Sequence, residues 1–495
     1  MKHLIILIIT LVLAISIGSC RKDFSTSASS GNLRFSKDTV FLDTIFTNIG
    51  SSTYNLKVYN RSSDDIHIPT IGLGRGTNSN FRLMVDGIPG QYFENVEIKA
   101  EDSIFIFVET TVDILDYSTT ATEFLYKDSI VFDANSNMQD VKLVTLVKDA
   151  EPIFPPTLED GELNDFELTT AQLHWTNTKP YIIYGYPKVP DGETLIIDPG
   201  TRIHFHRNSG LIVENGATIL ADGNLSTDQD LLENEIIFEG DRLEPMFSNV
   251  PGQWGTIWLQ EGSTDNLFDY VTIKNGTIGI RSDFSDGDLT TTFTNTQIYN
   301  HSVNGLLAID GHIDGKNMVI SNCGQATVNI AHGGTYDFTH CTFTNYWNSG
   351  FRSFPTLAIS DWLGETADHL YANFTNCIIY GNENLEFSFD QQSNGDFDFN
   401  FKNCLMRFND FNNQFGNNSF YDFDNTTYYE NNIFNQDPKF LNKFDNEFQI
   451  EALESPADNT GFEISPSFSD IINTTRSTGN YDIGAYQATV FPDDN

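Results

Sequence analysis

Three aspartates lie close together in the run Asp283-Phe284-Ser285-Asp286-Gly287-Asp288. Carboxylate oxygens that follow one another in a turn are the ligands that Ca²⁺ prefers in proteins. The run does not fit the twelve-residue EF-hand pattern, and a solvated acidic turn between strands is the alternative interpretation. The sequence therefore makes Asp283, Asp286 and Asp288 candidate ligands for Ca²⁺, and it requires no other cofactor.

A second group of candidate residues is mainly aromatic. Trp347, Phe351 and Trp362 lie with Arg352 in one stretch of the chain. Aromatic rings stack on the faces of sugar rings, and an arginine fork holds a carboxylate. The alternative is that these rings only cover the chain beneath them. We predict that Trp347, Phe351, Arg352 and Trp362 contact a polysaccharide.

These candidates are embedded in a repeat, which indicates the elements that position them. A pattern of an apolar residue, a polar residue, Asn (once His) and Cys (once Thr) recurs at intervals of 27, 18, 36 and 27 residues. Such self-similarity indicates a solenoid in which each copy stacks on the next. The copies are Phe293-Thr294-Asn295-Thr296, Ile320-Ser321-Asn322-Cys323, Phe338-Thr339-His340-Cys341, Phe374-Thr375-Asn376-Cys377 and Phe401-Lys402-Asn403-Cys404.

The repeat predicts the state of the cysteines and the place of the binding residues. If the four cysteines occupy one equivalent position of successive coils, they are small buried apolar side chains, and we expect them to be unpaired. The interval of 36 residues between Cys341 and Cys377 contains the aromatic stretch. Insertions of this kind often form the binding face of a solenoid.

Two further segments resemble a known architecture. Residues 195–205, with Pro199-Gly200-Thr201, and the later Trp254-Gly255 resemble the first coils of right-handed parallel β-helix proteins. Near the other end, Asp482-Ile483-Gly484-Ala485-Tyr486-Gln487 resembles the closing motif of bacterial β-helix proteins called choice-of-anchor Q proteins, in which an acid stands at the position of Gln487. The resemblance implies a right-handed parallel β-helix over residues 175–490, including the closing segment.

Proteins with this architecture include polysaccharide lyases and hydrolases, but no complete catalytic set is visible. Paired aspartates with Gly-His-Gly and Arg-x-Lys would indicate a hydrolase, and only the fragments 310–316 and 331–334 come near this pattern. A lyase would use a base beside Ca²⁺, for which Lys316, Arg352 and His332 are candidates. The sequence therefore favours binding over catalysis.

The N-terminus carries a processing signal. An apolar run from residue 4 to 17 is too short to span a membrane and ends in Ile17-Gly18-Ser19-Cys20. This ending resembles a bacterial lipobox, which implies a signal peptide over 1–19 and a lipid on Cys20. We predict an outer-membrane lipoprotein on the periplasmic or the cell-surface face. Its signal peptide is followed by a Ser- and Thr-rich tether over 20–31.

The remaining N-terminal segments predict a separate domain. Short alternating strands between residues 32 and 150 favour a β-sandwich that resembles immunoglobulin-like domains of bacterial surface proteins. Residues 151–174 are predicted as a linker and cap. The expected fold is therefore all-β, with an immunoglobulin-like β-sandwich before a right-handed parallel β-helix.

The charge of the chain excludes one class of partner. A total of 68 acidic and 27 basic residues gives a formal charge of −41, which repels nucleic acid. We therefore predict a lipid-anchored envelope protein whose β-helix binds extracellular polysaccharide. The alternatives are a lyase or hydrolase that acts on an anionic glycan, and a structural component of the envelope. The sequence leaves the oligomeric state open.

Overall fold

The computed structural model describes residues 26–133, 137–156, 165–285, 287–364, 366–392, 396–476, 478–479 and 481–492. The chain divides after Asp149 into two compact units. Every described element longer than three residues is a β-strand, which confirms the all-β prediction. No helix in this part of the chain is long and apolar enough to cross a membrane. The predicted signal peptide and Cys20 lie outside the described residues.

The described part of the first unit contains eleven strands in two sheets. It also contains the 3-10 turns Gly76–Asn78 and Ile114–Asp116. The strands are β1 (Ser27–Ala28), β2 (Arg34–Phe35), β3 (Thr39–Phe46), β4 (Tyr54–Tyr59), β5 (Ile66–Leu73), β6 (Phe81–Val85), β7 (Ile88–Gly90), β8 (Tyr92–Ile98), β9 (Ser103–Thr110), β10 (Glu123–Asp133) and β11 (Gln139–Lys148).

The two sheets of this unit share one apolar core. One sheet has the order β1-β5-β10-β11-β3 with β8 paired to β5, and the other has the order β2-β4-β9-β6-β7. Alternate residues of strands from both sheets, such as Val40 and Ile106, point into the core. The predicted tether is shorter than expected, because Ser27 and Ala28 pair in parallel with β5. Membership of the immunoglobulin-like class stays a prediction.

Among its described residues the second unit contains 32 strands, numbered here β12 to β43 in chain order. It also contains the 3-10 turns Thr170–Gln172, Pro245–Phe247 and Ser419–Tyr421. The strands are β12 (Glu151–Ile153), β13 (Asp165–Glu167), β14 (His174–Trp175), β15 (Tyr181–Ile183), β16 (Tyr186–Val189), β17 (Thr194–Ile197), β18 (Arg202–Phe205), β19 (Leu211–Val213), β20 (Thr218–Asp222), β21 (Ile236–Gly240), β22 (Ile257–Leu259), β23 (Asn266–Asp269), β24 (Val271–Lys274), β25 (Ile278–Ser282), β26 (Thr291–Thr294), β27 (Gln297–His301), β28 (Asn304–Lys316), β29 (Val319–Cys323), β30 (Val328–Thr339), β31 (Thr342–Asn345), β32 (Leu357–Ser360), β33 (Trp362–Leu363), β34 (Thr366–Ala367), β35 (Leu370–Thr375), β36 (Ile378–Gly381), β37 (Phe387–Asp390), β38 (Phe397–Lys402), β39 (Leu405–Met406), β40 (Tyr429–Glu430), β41 (Ile433–Phe434), β42 (Phe440–Asn442) and β43 (Glu447–Ile450).

Most of these strands pair in parallel with strands of the preceding and following coils. Most coils contribute one strand to an eleven-stranded sheet and two strands to a seventeen-stranded sheet. This pairing is that of a parallel β-solenoid. In two coils the second and third strands are continuous, which makes β28 and β30 the longest strands of the unit. The solenoid begins earlier than predicted, because β12, β13 and β14 of the expected linker and cap already pair with the next coil.

A column of aromatic rings fills the interior of the coils. Phe268 stacks on Phe293 with 5.1 Å between ring centroids, and Phe374 stacks on Phe401 at 4.7 Å. Between them the column passes through Gly315, which pairs with Phe338. A Cβ atom at Gly315 would lie 2.6 Å from the ring of Phe338 and 2.7 Å from the sulfur of Met318. The glycine therefore leaves room for these two larger side chains.

The position after this column is a turn occupied mainly by asparagine. Asn295, His340, Asn376 and Asn403 have φ values of 47°, 52°, 55° and 49°, the left-handed region that asparagine tolerates well. The fifth member is Asn317 and not Asn322, because Lys316 pairs with Thr294 and Thr339. The predicted second copy of the repeat was therefore wrong by five residues. The position that is apolar in the other copies is occupied by Gly315 in this copy, so the pattern cannot be recognised there.

The same correction applies to one cysteine. Cys341, Cys377 and Cys404 follow the turn asparagines and histidine, whereas Cys323 pairs with His301 in a different column. All four thiols are buried and unpaired, as predicted. Burial raises the pKa of the Cys323 thiol to about 12, so this group packs as a neutral apolar side chain.

The C-terminal segment covers the outer face of the eleven-stranded sheet. Its antiparallel strands β42 and β43 contribute Phe448 and Ile450 to a core shared with Ile378 and Leu405 of the coils. The closing motif is fastened by Arg476. This guanidinium donates to the carbonyl oxygens of residues 484 and 485 and to the side-chain oxygens of residues 317 and 487.

Candidate site at a corner of the coils

The site lies where the second and third strands of successive coils meet at a corner. In β28 the pairing register shifts between Ile309 and Gly311, and the residue between them, Asp310, has φ 51°. In β30 the corresponding bend is at His332, with φ 65°. The buried hydroxyl of Tyr336 joins the two bends, because it accepts from the amide of Gly311 and donates to the carbonyl of residue 333. Asp310 and His332 are thus held on neighbouring coils.

The next coil adds a third residue through an excursion at the same corner. Residues 361–364 and 366–369 leave the coil, and β33 and β34 pair in an antiparallel hairpin. The excursion packs against the bend of β30, where a Cβ atom at Gly333 would lie 2.3 Å from the carbonyl oxygen of His369. Gly333 also has φ 83°, so glycine meets both requirements. The close approach brings Asp368 to the corner.

Asp310, His332 and Asp368, which we call the corner cluster, form the candidate site. One ligating atom of each residue lies within 4.8 Å of the ligating atoms of the other two. Both carboxylates are half-buried, and His332 is 8% exposed. Among the described residues this is the group of histidine, cysteine and acidic side chains whose spacing suits a metal ion. No described arginine or lysine forms an ion pair with either aspartate within 4.0 Å.

The hydrogen bonds of the cluster define the proton position on His332. Its Nε2 lies 2.9 Å from the hydroxyl oxygen of Thr366, and that hydroxyl donates its proton to the carbonyl oxygen of Leu363 at 3.1 Å. The hydroxyl must therefore accept from Nε2–H. The lone pair of the imidazole is consequently on Nδ1, which is buried and has no hydrogen-bond partner in the part of the chain that the structure describes.

The two carboxylates have different surroundings. Burial raises the pKa of Asp310, and the neighbouring Asp368 raises it further. The backbone amide of His369 lowers the pKa of Asp368, with a further contribution from the hydrogen bond to the His369 ring. The Nδ1 atom of that ring lies 2.8 Å from Oδ1 of Asp368. The corner therefore combines one poorly solvated carboxylate with one that is well supplied with donors.

Aromatic rings and polar side chains flank the corner cluster. The ring of Phe284 meets His332 edge-on at 5.3 Å, and the exposed ring of Tyr371 lies 5.7 Å from His369. Side chains on the outer face of the seventeen-stranded sheet then form rows across the coils. The rows are His312–Thr335–Tyr371–Asp398, Asp314–Asp337–Asn373–Asn400 and Lys316–Thr339–Thr375–Lys402.

The two described candidate calcium ligands, Asp283 and Asp288, lie at the same corner, one coil earlier. The Asp283 carboxylate accepts from the guanidinium of Arg281 at 2.8 Å and from the indole of Trp258 at 2.7 Å. Asp288 is exposed, and Asp286 lies outside the described residues. The structure therefore gives the Asp283 carboxylate two protein donors, and metal binding by Asp283, Asp286 and Asp288 stays a prediction.

The prediction that Arg352 contacts a ligand was wrong. Its side chain is 1% exposed and forms a salt bridge of 2.9 Å with Glu386, which is fully buried. It also donates to Asn382 and to the carbonyl oxygens of residues 345 and 354. A guanidinium with these partners has no accessible face for a sugar carboxylate. Arg352 instead fixes the base of the loop that contains it.

The predicted aromatic binding surface is divided into two parts. Residues 346–356 form an excursion before β32, and residues 361–364 and 366–369 form the excursion after it. Trp347 is half-buried and Phe351 is 91% exposed in the first excursion, whereas Trp362 is half-buried in the second. The four residues are therefore not one surface. Only Trp362 belongs to the excursion that carries Asp368.

The sequence had shown parts of the corner cluster without their relation. His332 was a candidate base, and Asp310 began one of the two incomplete hydrolase fragments. Asp368 and His369 had no sequence signal, because their position depends on the second excursion folding back on β30. The separation of 22 positions between Asp310 and His332, close to one coil, was the signal that could have indicated their contact.

Comparisons with known proteins give distant structural likenesses. No protein-family model and no curated protein matches the chain. A family 123 glycoside hydrolase from Clostridium perfringens aligns with 28% of this chain and 27% of its own, at 9% identity and TM-score 0.18. The catalytic unit of a family 87 α-1,3-glucanase from Streptomyces thermodiastaticus aligns over 72% and 84%, at 10% identity and TM-score 0.26.

A third solved structure is the catalytic domain of a family 87 α-1,3-glucanase in complex with tetrasaccharides. It aligns with 77% of this chain and 89% of its own, at 11% identity and TM-score 0.17. The present chain spans about a quarter of the length of the family 123 enzyme. Because each TM-score is below 0.5, we base no functional assignment on these likenesses.

Proposed function

We propose that this protein acts on an extracellular polysaccharide, which it binds on the outer face of the seventeen-stranded sheet and cleaves at the corner cluster. The observation that carries this proposal is the convergence of two carboxylates and an imidazole from three coils. Carboxylates and imidazoles are the groups that proteins use for general acid–base and metal-assisted chemistry. Their position at the edge of an open polar face suits a long substrate.

The outer face supports polymer binding through its repetition. Neighbouring parallel strands are about 4.8 Å apart, so each row presents hydroxyl, amide and carboxylate groups at regular intervals. Tyr371 adds an exposed aromatic ring beside the cluster. Asn373 already donates to Asp337 at 3.0 Å, so that part of the face is ordered before a ligand arrives. Ordered polar groups lower the entropy loss of binding.

The proposed location follows from the sequence. Cleavage before Cys20 and lipidation of its thiol would hold the protein at the outer membrane, on the periplasmic or cell-surface face. The first unit, proposed to be immunoglobulin-like, would then act as a spacer or docking domain. The resemblance to choice-of-anchor Q proteins and the right-handed coil belong to the same proposal.

The binding test compares the two excursions. The full chain and its Tyr371→Ala, Trp362→Ala and Trp347→Ala variants are applied to an array of polysaccharides. We expect Tyr371→Ala and Trp362→Ala to reduce binding at least tenfold, because these side chains lie beside the corner cluster. Trp347→Ala is the matched control and should bind as the unchanged chain does. Equal loss in all three variants, or no binding at all, would contradict the proposed surface.

The cleavage test uses the polysaccharides that bind. New reducing ends indicate a hydrolase, and unsaturated ends that absorb ultraviolet light indicate a lyase. Asp310→Asn and Asp368→Asn should abolish product formation. Binding without products in the unchanged chain would leave the binding function and exclude cleavage. An absence of both would favour a structural role in the envelope.

A further inference from the structure

The orphaned nitrogen of His332 points to a ligand at the corner. Its imidazole is more than nine-tenths buried, and its Nε2–H is engaged by Thr366. The basic Nδ1 atom has no hydrogen-bond partner among the described residues. A buried acceptor without a partner destabilises a fold. A bound ion would satisfy this atom.

The hydrogen bond to Thr366 is also the arrangement found around metal-binding histidines. Such histidines usually coordinate through one ring nitrogen and donate the other N–H to a neighbouring group, which fixes the tautomer and the ring orientation. In His332 the donated hydrogen bond is the one from Nε2, at 2.9 Å. The nitrogen left for coordination is Nδ1.

Two oxygen ligands complete the arrangement. Asp310 and Asp368 each offer a carboxylate oxygen within 4.8 Å of the imidazole and of one another. Small movements of the side chains bring such atoms to the distances of about 2.0–2.2 Å that a metal ion requires. The supporting backbone is fixed, since Tyr336 joins the bends and the amide of Gly334 donates to the carbonyl of His369 at 2.8 Å.

The donor set selects the kind of cation. Ca²⁺ takes six to eight oxygen ligands, and a site with an imidazole nitrogen and two carboxylates supplies too few. Imidazole together with carboxylate suits Zn²⁺ and other first-row transition ions. Three protein ligands also leave a coordination position open, as in sites where zinc binds water or a substrate.

We therefore propose that Asp310, His332 and Asp368 bind one divalent transition-metal ion at the corner of the coils. The site does not depend on the proposed action on polysaccharide. The ion would place a positive centre on a face whose lysines are already paired, Lys316 with Asp314 and Lys402 with Glu430. Its open position would accept an oxygen ligand.

The test measures ion binding without any glycan. The full chain is stripped with a chelator and titrated with Zn²⁺, Mn²⁺ and Ca²⁺ in separate calorimetric experiments. We expect one Zn²⁺ or Mn²⁺ per chain and at least tenfold weaker binding of Ca²⁺. Asp310→Asn, Asp368→Asn and His332→Ala should each weaken binding of the transition ion by about 100-fold or more. Thr366→Val should weaken it by about tenfold, because it removes the partner of Nε2.

The matched control is Asp398→Asn, which removes the same charge from an exposed residue of the same face. This substitution should leave the binding of the transition-metal ion unchanged. X-ray absorption of the zinc-loaded chain should show nitrogen and oxygen ligands near 2.0–2.1 Å, including imidazole scattering that His332→Ala removes. The proposal is overturned if no saturable one-to-one binding occurs, if Asp398→Asn weakens it as much as Asp310→Asn does, or if Ca²⁺ binds more tightly. Since no glycan is present, a failure here is separate from a failure of the proposed function.

Discussion

His332 and His340 lie eight residues apart, one within β30 and one directly after it, and their surroundings differ in an instructive way. Both side chains are buried, both residues have positive φ, and in both rings Nδ1 has no hydrogen-bond partner among the described residues. What differs is the group that faces the other nitrogen. That difference separates a structural position from a candidate chemical one.

At His340 the partner is a donor. The amide nitrogen of Asn376 lies 2.9 Å from Nε2, and the orientation of that amide is fixed by two hydrogen bonds to the backbone of Phe462. Nε2 therefore accepts, and the proton is on Nδ1. Burial lowers the pKa of His340 well below its usual value, and Arg476 lowers it further. The ring stays neutral under the C-terminal segment, between the rings of Phe468 and Tyr481.

At His332 the partner of Nε2 is an acceptor. The proton is therefore on Nε2 and the lone pair is on Nδ1, the reverse of His340. The corner that contains the imidazole of His332 also contains the carboxylates of Asp310 and Asp368. Histidine alone therefore does not indicate chemistry in this fold. The hydrogen-bond partner of each ring nitrogen decides whether the histidine only packs in the turn or can also coordinate a metal ion.

The largest effect that we expect concerns the outer face of the eleven-stranded sheet, which the C-terminal segment covers. Arg476→Ala should lower the free energy of unfolding of the second unit by about 3–5 kcal/mol, because it leaves buried carbonyl oxygens without donors. All five tryptophans lie in this unit, so tryptophan fluorescence during urea unfolding reports on it alone. Arg207→Ala, at an exposed residue, should change stability by less than about 0.5 kcal/mol. Equal effects of the two substitutions would show that Arg476 does not stabilise the C-terminal segment.

The two histidines can be compared by the same substitution. His340→Ala should lower the free energy of unfolding by about 2–4 kcal/mol, since it opens a cavity beside Phe468 and Tyr481. His332→Ala in the metal-free chain should cost less than about 1 kcal/mol, because it also removes a buried unsatisfied acceptor. Urea unfolding with fluorescence detection measures both. A larger loss for His332→Ala would show that its role is structural.

The buried acid Glu235 predicts that the stability of the second unit depends on pH. Burial raises the pKa of Glu235 to about 7, while its value in the unfolded chain is about 4.3. The unfolded chain therefore loses this proton first, and stability should fall as pH rises from about 4 to about 7. Glu235→Gln keeps an acceptor for the Thr272 hydroxyl and should raise stability at pH 8 by about 2 kcal/mol, with no gain at pH 4. A gain of the same size at both pH values would contradict this origin.

The smallest effect should come from Phe351 in the first excursion. Phe351→Ala changes a ring that is 91% exposed, so the free energy of unfolding should change by less than about 0.5 kcal/mol. Arg352→Ala, at the neighbouring residue, should instead cost about 3–5 kcal/mol, because Glu386 would remain buried and unpaired. Thermal or urea unfolding of the two variants tests the assignment of Arg352 as a structural residue.

The repeat of Asn295, Asn376 and Asn403 predicted a solenoid because stacked coils place equal residues at equal turns. The same reasoning failed at Asn322, since Gly315 has no side chain to mark the aromatic column and a similar pattern follows five residues later. Arg352 was misassigned for a related reason. Its partner, Glu386, lies 34 residues away, and a single sequence does not show which distant acid meets a given base.

The sequence by itself determined the stacked architecture, the buried unpaired cysteines and the acidic character of the surface. These follow from composition and from local periodicity, which each coil repeats. Only the tertiary structure decided which side chains meet at the corner. Asp310, His332 and Asp368 come from three coils, and the excursion that carries Asp368 reaches the corner because Gly333 allows its backbone to approach. The tautomer of His332 was decided by Thr366, which this packing places at its ring.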